Sequence, residues 1–196
     1  MKSGFFNSNS YFINEKVNFL KFENEYKIFS EEGKEVGAVK QKLTGSEKMQ
    51  RVIFDKANLP FRLDIVDNEG AIQASLVRGW SFLLSKITVL DGNGIKIGSI
   101  KQSFSLLKPH LVIFDESNCE VAEIEGDWIG WSFEITDPDG AVLGAINKQW
   151  SGLAKELFTT ADNYNVTITQ QVNSANRRAL IVTCAITIDM ILKENQ

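Results

Sequence analysis

Three lysines recur at one place in a repeated segment: Lys40 in Gly33–Gln41 (GKEVGAVKQ), Lys101 in Gly94–Gln102 (GIKIGSIKQ) and Lys148 in Gly140–Gln149 (GAVLGAINKQ). An ammonium on a flexible stem is a compact point charge suited to phosphate or carboxylate oxygens. Three at equivalent positions are therefore candidates for binding an anion. The competing role is protective, since lysine at a strand end discourages pairing with other chains. Other reactive side chains are few. His110 is the single histidine, which rules out a multi-histidine metal cluster, and no G-x-S-x-G elbow accompanies it. It is expected as a structural or surface residue. Gly92, Gly94 and Gly98 imitate a dinucleotide fingerprint, but with the wrong spacing and in a hairpin rather than ahead of a helix. No catalytic, metal or cofactor motif emerges, so the expectation is a protein that is not an enzyme and holds no cofactor.

Composition narrows the partners. The chain has 196 residues, a formal net charge of −4 and a pI near 5.2. That balance gives no support for nucleic acid, which calls for clustered Lys and Arg. Cys119 falls in a turn and Cys184 in an apolar run. Two cysteines so placed make neither a zinc site nor a disulfide framework. They point to a reducing, cytoplasmic compartment, with Cys184 as a small core hydrophobe. The first ten residues are polar, carry no apolar run long enough for a signal peptide, and are expected to be a flexible N-terminus. Residues 11–196 are expected to form one domain.

The elements that hold the lysines follow from the repeats. Degenerate copies lie at Asp67–Gly79 and Asp115–Gly126, and the turn centres Gly70, Gly94, Asn118 and Gly140 are spaced 24, 24 and 22 residues apart. Between turns run short Val, Ile and Phe-rich stretches such as RVIFD, SKITVL and HLVIFD. Roughly twelve or thirteen strands joined in hairpins fit a sandwich or a barrel, because a long meander must fold over or close to protect its edges.

After Gln149 the pattern changes. Ser151–Phe158 reads as a short helical turn and Tyr164–Thr169 as a strand with Val166 and Ile168 on one face. Ala179–Leu192 (ALIVTCAITIDMIL), with Asn173 and Ser174 as possible caps, is apolar around most of its circumference. Such a helix is enclosed by protein or spans a membrane, and a span needs about 20 mostly apolar residues. The spacing predicts an enclosed helix over Arg177–Lys193, with Leu180, Ile181, Cys184, Ile188 and Leu192 buried. Asp189 opposes the helix dipole there and is costly to bury, so it is expected to make a structural hydrogen bond. Of the tryptophans, Trp80, Trp128, Trp131 and Trp150, core or wall packing is the expected role. Trp128 and Trp131, around Gly130, are the better candidates for partial exposure.

Lys148–Tyr164 (KQWSGLAKELFTTADNY) resembles the phospholipid scramblase signature of a Lys and a Trp, a Gly, a Glu, then Phe-Thr-x-Ala-Asp-Asn-aromatic. Ala185–Glu194 (AITIDMILKE) is similar to that family's final helix. The resemblance extends more weakly back to Tyr11. Together with the LURP-one-related and Tubby C-terminal-like proteins, it implies a mainly β fold: a closed antiparallel barrel of about twelve strands around a buried C-terminal helix. It also implies a calcium loop at Thr160–Gln171, in which Asp162 and Asn163 match while Thr160 and Gln171 replace the terminal acids. Calcium takes six to eight oxygens, several from carboxylates. One carboxylate is too few, and a vestigial loop is expected.

Two functions are then in view. The first is a non-enzymatic scramblase-related protein, cytoplasmic and peripheral at the membrane, with Lys40, Lys101 and Lys148 meeting anionic phospholipid headgroups. The alternative is a cytosolic LURP-one-like binding or scaffold module with a protein partner and no lipid activity. Oligomeric state is not encoded in these patterns.

Overall fold

The computed structural model describes residues 4–16, 25–41, 60–79, 86–104, 109–127, 129–148 and 163–194. They form twelve strands and one helix. The strands are β1 (Ser10–Lys16), β2 (Glu25–Ser30), β3 (Glu35–Gln41), β4 (Phe61–Asp67), β5 (Ile72–Arg78) and β6 (Lys86–Asp91), followed by β7 (Lys96–Phe104), β8 (Pro109–Asp115), β9 (Glu120–Asp127), β10 (Ser132–Thr136), β11 (Val142–Asn147) and β12 (Asn163–Ile168). The helix is α1 (Ala175–Glu194). Each strand pairs antiparallel with its sequence neighbours, and β1 closes the ring by pairing with both β2 and β12, through Tyr11↔Ser30 and Tyr11↔Val166. Of the two architectures open to a meander, the chain takes the closed barrel. The predicted helical turn at Ser151–Phe158 lies outside the described residues.

Helix α1 fills the barrel. Every residue from Arg178 to Asp189 is buried, so no face of the helix meets water along those turns. Leu180, Ile181, Cys184 and Ile188 are at most 2% exposed, as expected; the Leu192 side chain lies outside the described residues. Thr183 and Thr187 satisfy their hydroxyls within the helix, donating to the Leu180 and Thr183 carbonyls at 2.8 and 3.0 Å. The Cys184 thiol is pushed far up by desolvation, which suits an inert packing residue. The helix starts two residues earlier than its sequence suggested. Ser174 supplies the cap, its carbonyl accepting from Arg178 N–H at 3.0 Å. Among the described residues, no helix is long and apolar enough to cross a membrane.

The repeats make room for this helix. In five hairpins the register slips by one, leaving Val36, Gln73, Ile97, Val121 and Leu143 as extra residues. Such a bulge bends and twists its strand. Each is followed by a small residue: Gly37, Ala74, Gly98, Ala122 or Gly144. At Gly98 a Cβ would come within 2.9 Å of both Leu180 methyls and 2.3 Å of the Phe114 carbonyl. Of the three motif glycines, Gly98 is where the helix approaches the wall; at Gly37 the close side chain is Phe5, and at Gly144 the close atoms are the backbone of Thr167 and Ile168.

Arg178 and Asp189 fasten the two ends of the buried run. The Arg178 guanidinium donates to the Phe6, Val172 and Asn7 carbonyls at 2.7, 3.1 and 3.4 Å, to the Ser8 carbonyl, and to Asn9 Oδ1 at 2.9 Å. Phe6 is 2% exposed, and Tyr11 Oη–H donates to the Phe5 carbonyl at 2.9 Å. Residues 6–9 of the N-terminal segment thus supply acceptors to an arginine about 170 residues away in sequence. Asp189 makes its expected structural bond, accepting from Tyr26 Oη–H at 2.7 Å.

Two outcomes follow from this core. Removing residues 177–196 withdraws the filling, and the truncated chain is expected to lose its cooperative thermal transition and its near-ultraviolet dichroism. A soluble truncated protein that unfolds cooperatively contradicts the account. The second outcome concerns Tyr11, whose phenol is raised to about 12, chiefly by desolvation, with the Ser8 N–H bond and the Arg178 charge opposing. Between about pH 10 and 12 the unfolded chain releases this proton while the folded chain keeps it. Stability therefore falls as pH rises through that window, by up to about 2 kcal/mol. Urea titrations at each pH should show a smaller loss across the window in Tyr11→Phe than in the parent.

Candidate functional site

The barrel has two chemically different rims. At one, five tight turns share a design: residues 30–34, 67–71, 91–95, 115–119 and 137–141. In each, the first residue's N–H donates to the carbonyl of the fifth, and the fourth residue's N–H returns to the first. The fourth residue takes positive φ, at Gly33, Gly70, Gly94, Asn118 and Gly140, as a hairpin turn with a glycine bulge requires. Four begin with Asp, whose Oδ1 accepts from the N–H groups of the third and fifth residues at 2.8–3.0 Å. At Asp91, desolvation pushes the carboxyl up, but the bonds from Ile95 and Asn93 outweigh it and hold the group below the usual carboxylate range. The same rim presents exposed Glu31, Glu32, Glu69, Glu116 and Asp139. Its acidity comes from the four turn-opening aspartates together with these exposed carboxylates.

The lysines occupy the opposite rim. Lys40 is the penultimate residue of β3 and Lys148 follows the last residue of β11, while Lys101 lies inside β7, three residues before its end; all three are away from those turns. In a ring of twelve, these strands stand four apart. At about 4.8 Å per strand, that separates neighbouring lysines by roughly 19 Å of sheet. The structure therefore does not gather the three around one headgroup. Lys40 is exposed, facing Glu25 and Asp64 in the ladder. Lys101 Nζ sits 4.2 Å from the Phe114 ring centroid, and Lys148 Nζ 4.8 Å from that of Trp131. Lys101 is thereby held on the outer wall beside half-buried Phe114, and Lys148 beside Trp131, which packs against the core.

Sequence reasoning missed Lys86. It lies directly across the ladder from Lys101 and is exposed. Like charges face to face are unfavourable in a sheet, so among the described residues this pair is a concentrated positive spot on the side of the lysines. The available signal was the Lys that opens the stretch KITVLD; only strand register brings it to Lys101.

The remaining candidates are dispersed. Trp131 is half-buried and stacks on Tyr164, with centroids 5.4 Å apart and 26° between planes. Trp80, Trp128 and Trp150 lie outside the described residues. Gly92 and Gly94 belong to a hairpin turn and Gly98 faces the helix, an arrangement with no phosphate cradle. On the outer wall, His110, Glu123 and Glu125 bring their ligand atoms within 4.8 Å of one another, with His110 Nε2 3.3 Å from Glu123 Oε2. Glu120 is held above the usual range by its hydrogen bond with Glu123. Exposed acidic groups of this sort commonly occur without an ion, and β8–β9 here reads as an acidic stretch of wall. A narrow cleft between α1 and the wall, lined by Ile113, Val121, Ala122, Leu143, Leu180, Ile181 and Arg177, holds about 10 Å³, room for no more than a water molecule.

The calcium-loop segment divides. Asp162 lies outside the described residues. Asn163 is buried at the start of β12, its Oδ1 accepting from Asn14 Nδ2. Tyr164, Val166 and Ile168 are core residues, so the middle of Thr160–Gln171 is a strand whose alternate side chains are apolar. Isothermal calorimetry is expected to give no one-to-one calcium binding in the micromolar range. Micromolar binding that disappears in Asp162→Ala overturns this.

The comparisons with known proteins agree with the geometry. The scramblase family model matches residues 13–195. "Altered inheritance rate of mitochondria protein 25" of Saccharomyces cerevisiae is 24% identical over 87% of this chain and 65% of its own length. Human phospholipid scramblase 1 is 29% identical over 69% of this chain and 47% of its own. The chain thus spans less than two thirds of these relatives. A solved structure from Arabidopsis thaliana covers 96% of the chain, and 94% of its own, with a TM-score of 0.56 at 12% identity, which shows the fold alone. The closed barrel, its central helix and a family match over nearly the whole chain lead to one conclusion: the chain belongs to the scramblase family.

Proposed function

We propose that this protein is a non-enzymatic, peripheral component of anionic phospholipid membranes, facing the lipid with its lysine rim. One observation carries the reading: Lys40, Lys101 and Lys148 stand on strands spaced evenly around the ring, on the side of the barrel away from the acidic turns. Three cations a third of a circumference apart are unsuited to one headgroup pocket. They are better suited to an extended anionic surface. The acidic rim is repelled by the same surface, so the barrel acquires an orientation despite a net charge of −4. Relatives named phospholipid scramblase support lipid as the partner class. Lys86, beside Lys101, adds to the positive side.

A second reading is the cytosolic scaffold with a protein partner. The wall of β8–β10 favours it, where Glu125 stands between His110 on one strand and Glu134 on the next. A basic protein segment fits there and an anionic membrane does not.

Vesicle co-sedimentation separates the two. Each Lys near an anionic surface contributes about 1 kcal/mol. Converting Lys40, Lys101 and Lys148 together to Glu is expected to weaken binding to phosphatidylserine-containing vesicles well over tenfold and to lower its salt sensitivity. Thermal unfolding should be little changed. Unaltered binding removes the lysine rim from the account. No binding by the parent chain to any vesicle supports the scaffold.

A further inference from the structure

The β9–β10 connection lies at the rim opposite the acidic turns and shares one feature with them, an aspartate oxygen that accepts from the turn backbone. Asp127 opens it, and its Oδ1 accepts from the N–H of the third residue, Ile129, at 2.9 Å. In the five turns of the acidic rim, the third residue is Glu32, Glu69, Asn93, Ser117 or Asp139. Here alone among these turns it is a large apolar residue, and Ile129 is 97% exposed. Among the described residues two other large apolar side chains are exposed, Ile95 and Val142. Each lies at the end of an acidic turn, where an anionic surface does not approach.

The base of this tip is held rigidly. Lys148 N–H donates to the Trp131 carbonyl at 3.1 Å. Trp131 takes φ 51°, a backbone conformation unfavourable for a bulky residue. Its ring is nevertheless fixed by stacking on buried Tyr164 and by edge contact with Phe133 at 6.2 Å. Lys148 Nζ lies over the same ring, 4.8 Å from the Trp131 centroid. The end of the barrel thus brings together a packed aromatic ring, an ammonium against it, and an exposed isoleucine two residues away in sequence. An interfacial anchor has this composition: aromatic rings and cations at headgroup level, with an aliphatic side chain beyond them. The Asp127 carboxylate at the base is already engaged by the turn N–H.

We infer that the β9–β10 connection is the insertion point of the barrel, with Ile129 entering the acyl boundary of an anionic bilayer while Trp131 and Lys148 remain among the headgroups. The inference rests on the membrane reading above and deepens it: the lysine rim attracts, and Ile129 anchors. The two contributions differ in salt dependence, since apolar burial is not screened. Loss of one buried isoleucine corresponds to about a tenfold or larger loss of affinity.

The test uses the full chain with mixed phosphatidylcholine–phosphatidylserine vesicles. Cys119, exposed on a turn of the acidic rim, is a built-in control position. One preparation carries an environment-sensitive fluorophore on Cys119. A second carries it on Ile129→Cys in a Cys119→Ser background. The label at 129 is expected to shift to the blue on vesicle addition and to be quenched by bromine on the lipid acyl chains, whereas the label at 119 does neither. Unlabelled Ile129→Ser should unfold at the parent's temperature and bind about tenfold more weakly, with its remaining binding abolished by high salt. Co-sedimentation that persists while the label at 129 stays unresponsive, or while both labels respond alike, overturns the inference and leaves the membrane reading standing. The same holds if Ile129→Ser binds like the parent. Absence of co-sedimentation by the parent chain overturns both. Binding with a response confined to position 129 supports it against a protein pocket as the occupant of this tip.

Discussion

A helix apolar around its whole circumference must be surrounded, and this requirement organises the rest of the molecule. An eight-stranded barrel is about filled by its own side chains. Twelve strands leave a wider bore, and a helix with side chains is roughly 10–12 Å across. Helix and wall therefore need each other: neither the α1 segment nor the sheet can bury its apolar surface alone. The wall adapts by placing small residues, Gly37, Ala74, Gly98, Ala122 and Gly144, after bulges at the same point in five successive hairpins. Leu180 comes so close to Gly98 that a methyl group there would collide with it.

The polar groups on the helix mark the ends of this burial. Arg178 is buried and makes its hydrogen bonds to backbone carbonyls and an amide oxygen of the N-terminal segment and the β12–α1 connection. A buried guanidinium without such acceptors would be strongly unfavourable. Those acceptors come from residues that look like a disposable tail in the sequence. At the other end, Tyr26 on β2 holds Asp189. The first strands and the last helix are thus tied across the length of the chain, as barrel closure through β1–β12 also requires.

The functional asymmetry grows from the same construction. In an antiparallel meander, alternate connections fall on alternate rims. Four of the tight ones open with an Asp whose oxygen closes the turn. Lysines at the opposite ends of the strands inherit the other rim. Seen this way, the polarity of charge along the barrel axis is largely a by-product of the hairpin repeat. Its regularity also separates the three lysines by four strands each, which favours a surface over a pocket as their counterpart.

Much of the fold was legible in the residues. Turn spacing revealed the meander, and the all-round apolar run revealed an enclosed helix. The scramblase-like signature resolved sandwich against barrel. These features depend on local periodicity, which one chain segment carries by itself. The tertiary structure decided what depends on register and closure. Lys86 meets Lys101, and His110 meets Glu123 and Glu125, only because two strands pair at one offset among several. Residues 6–9 meet Arg178, far away in sequence, through hydrogen bonds that only the tertiary structure brings about. Equivalent repeat positions suggested that Lys40, Lys101 and Lys148 share a site. Closure of twelve strands into a ring placed equivalence and proximity at odds, because a repeat carried around a circle separates what it makes alike.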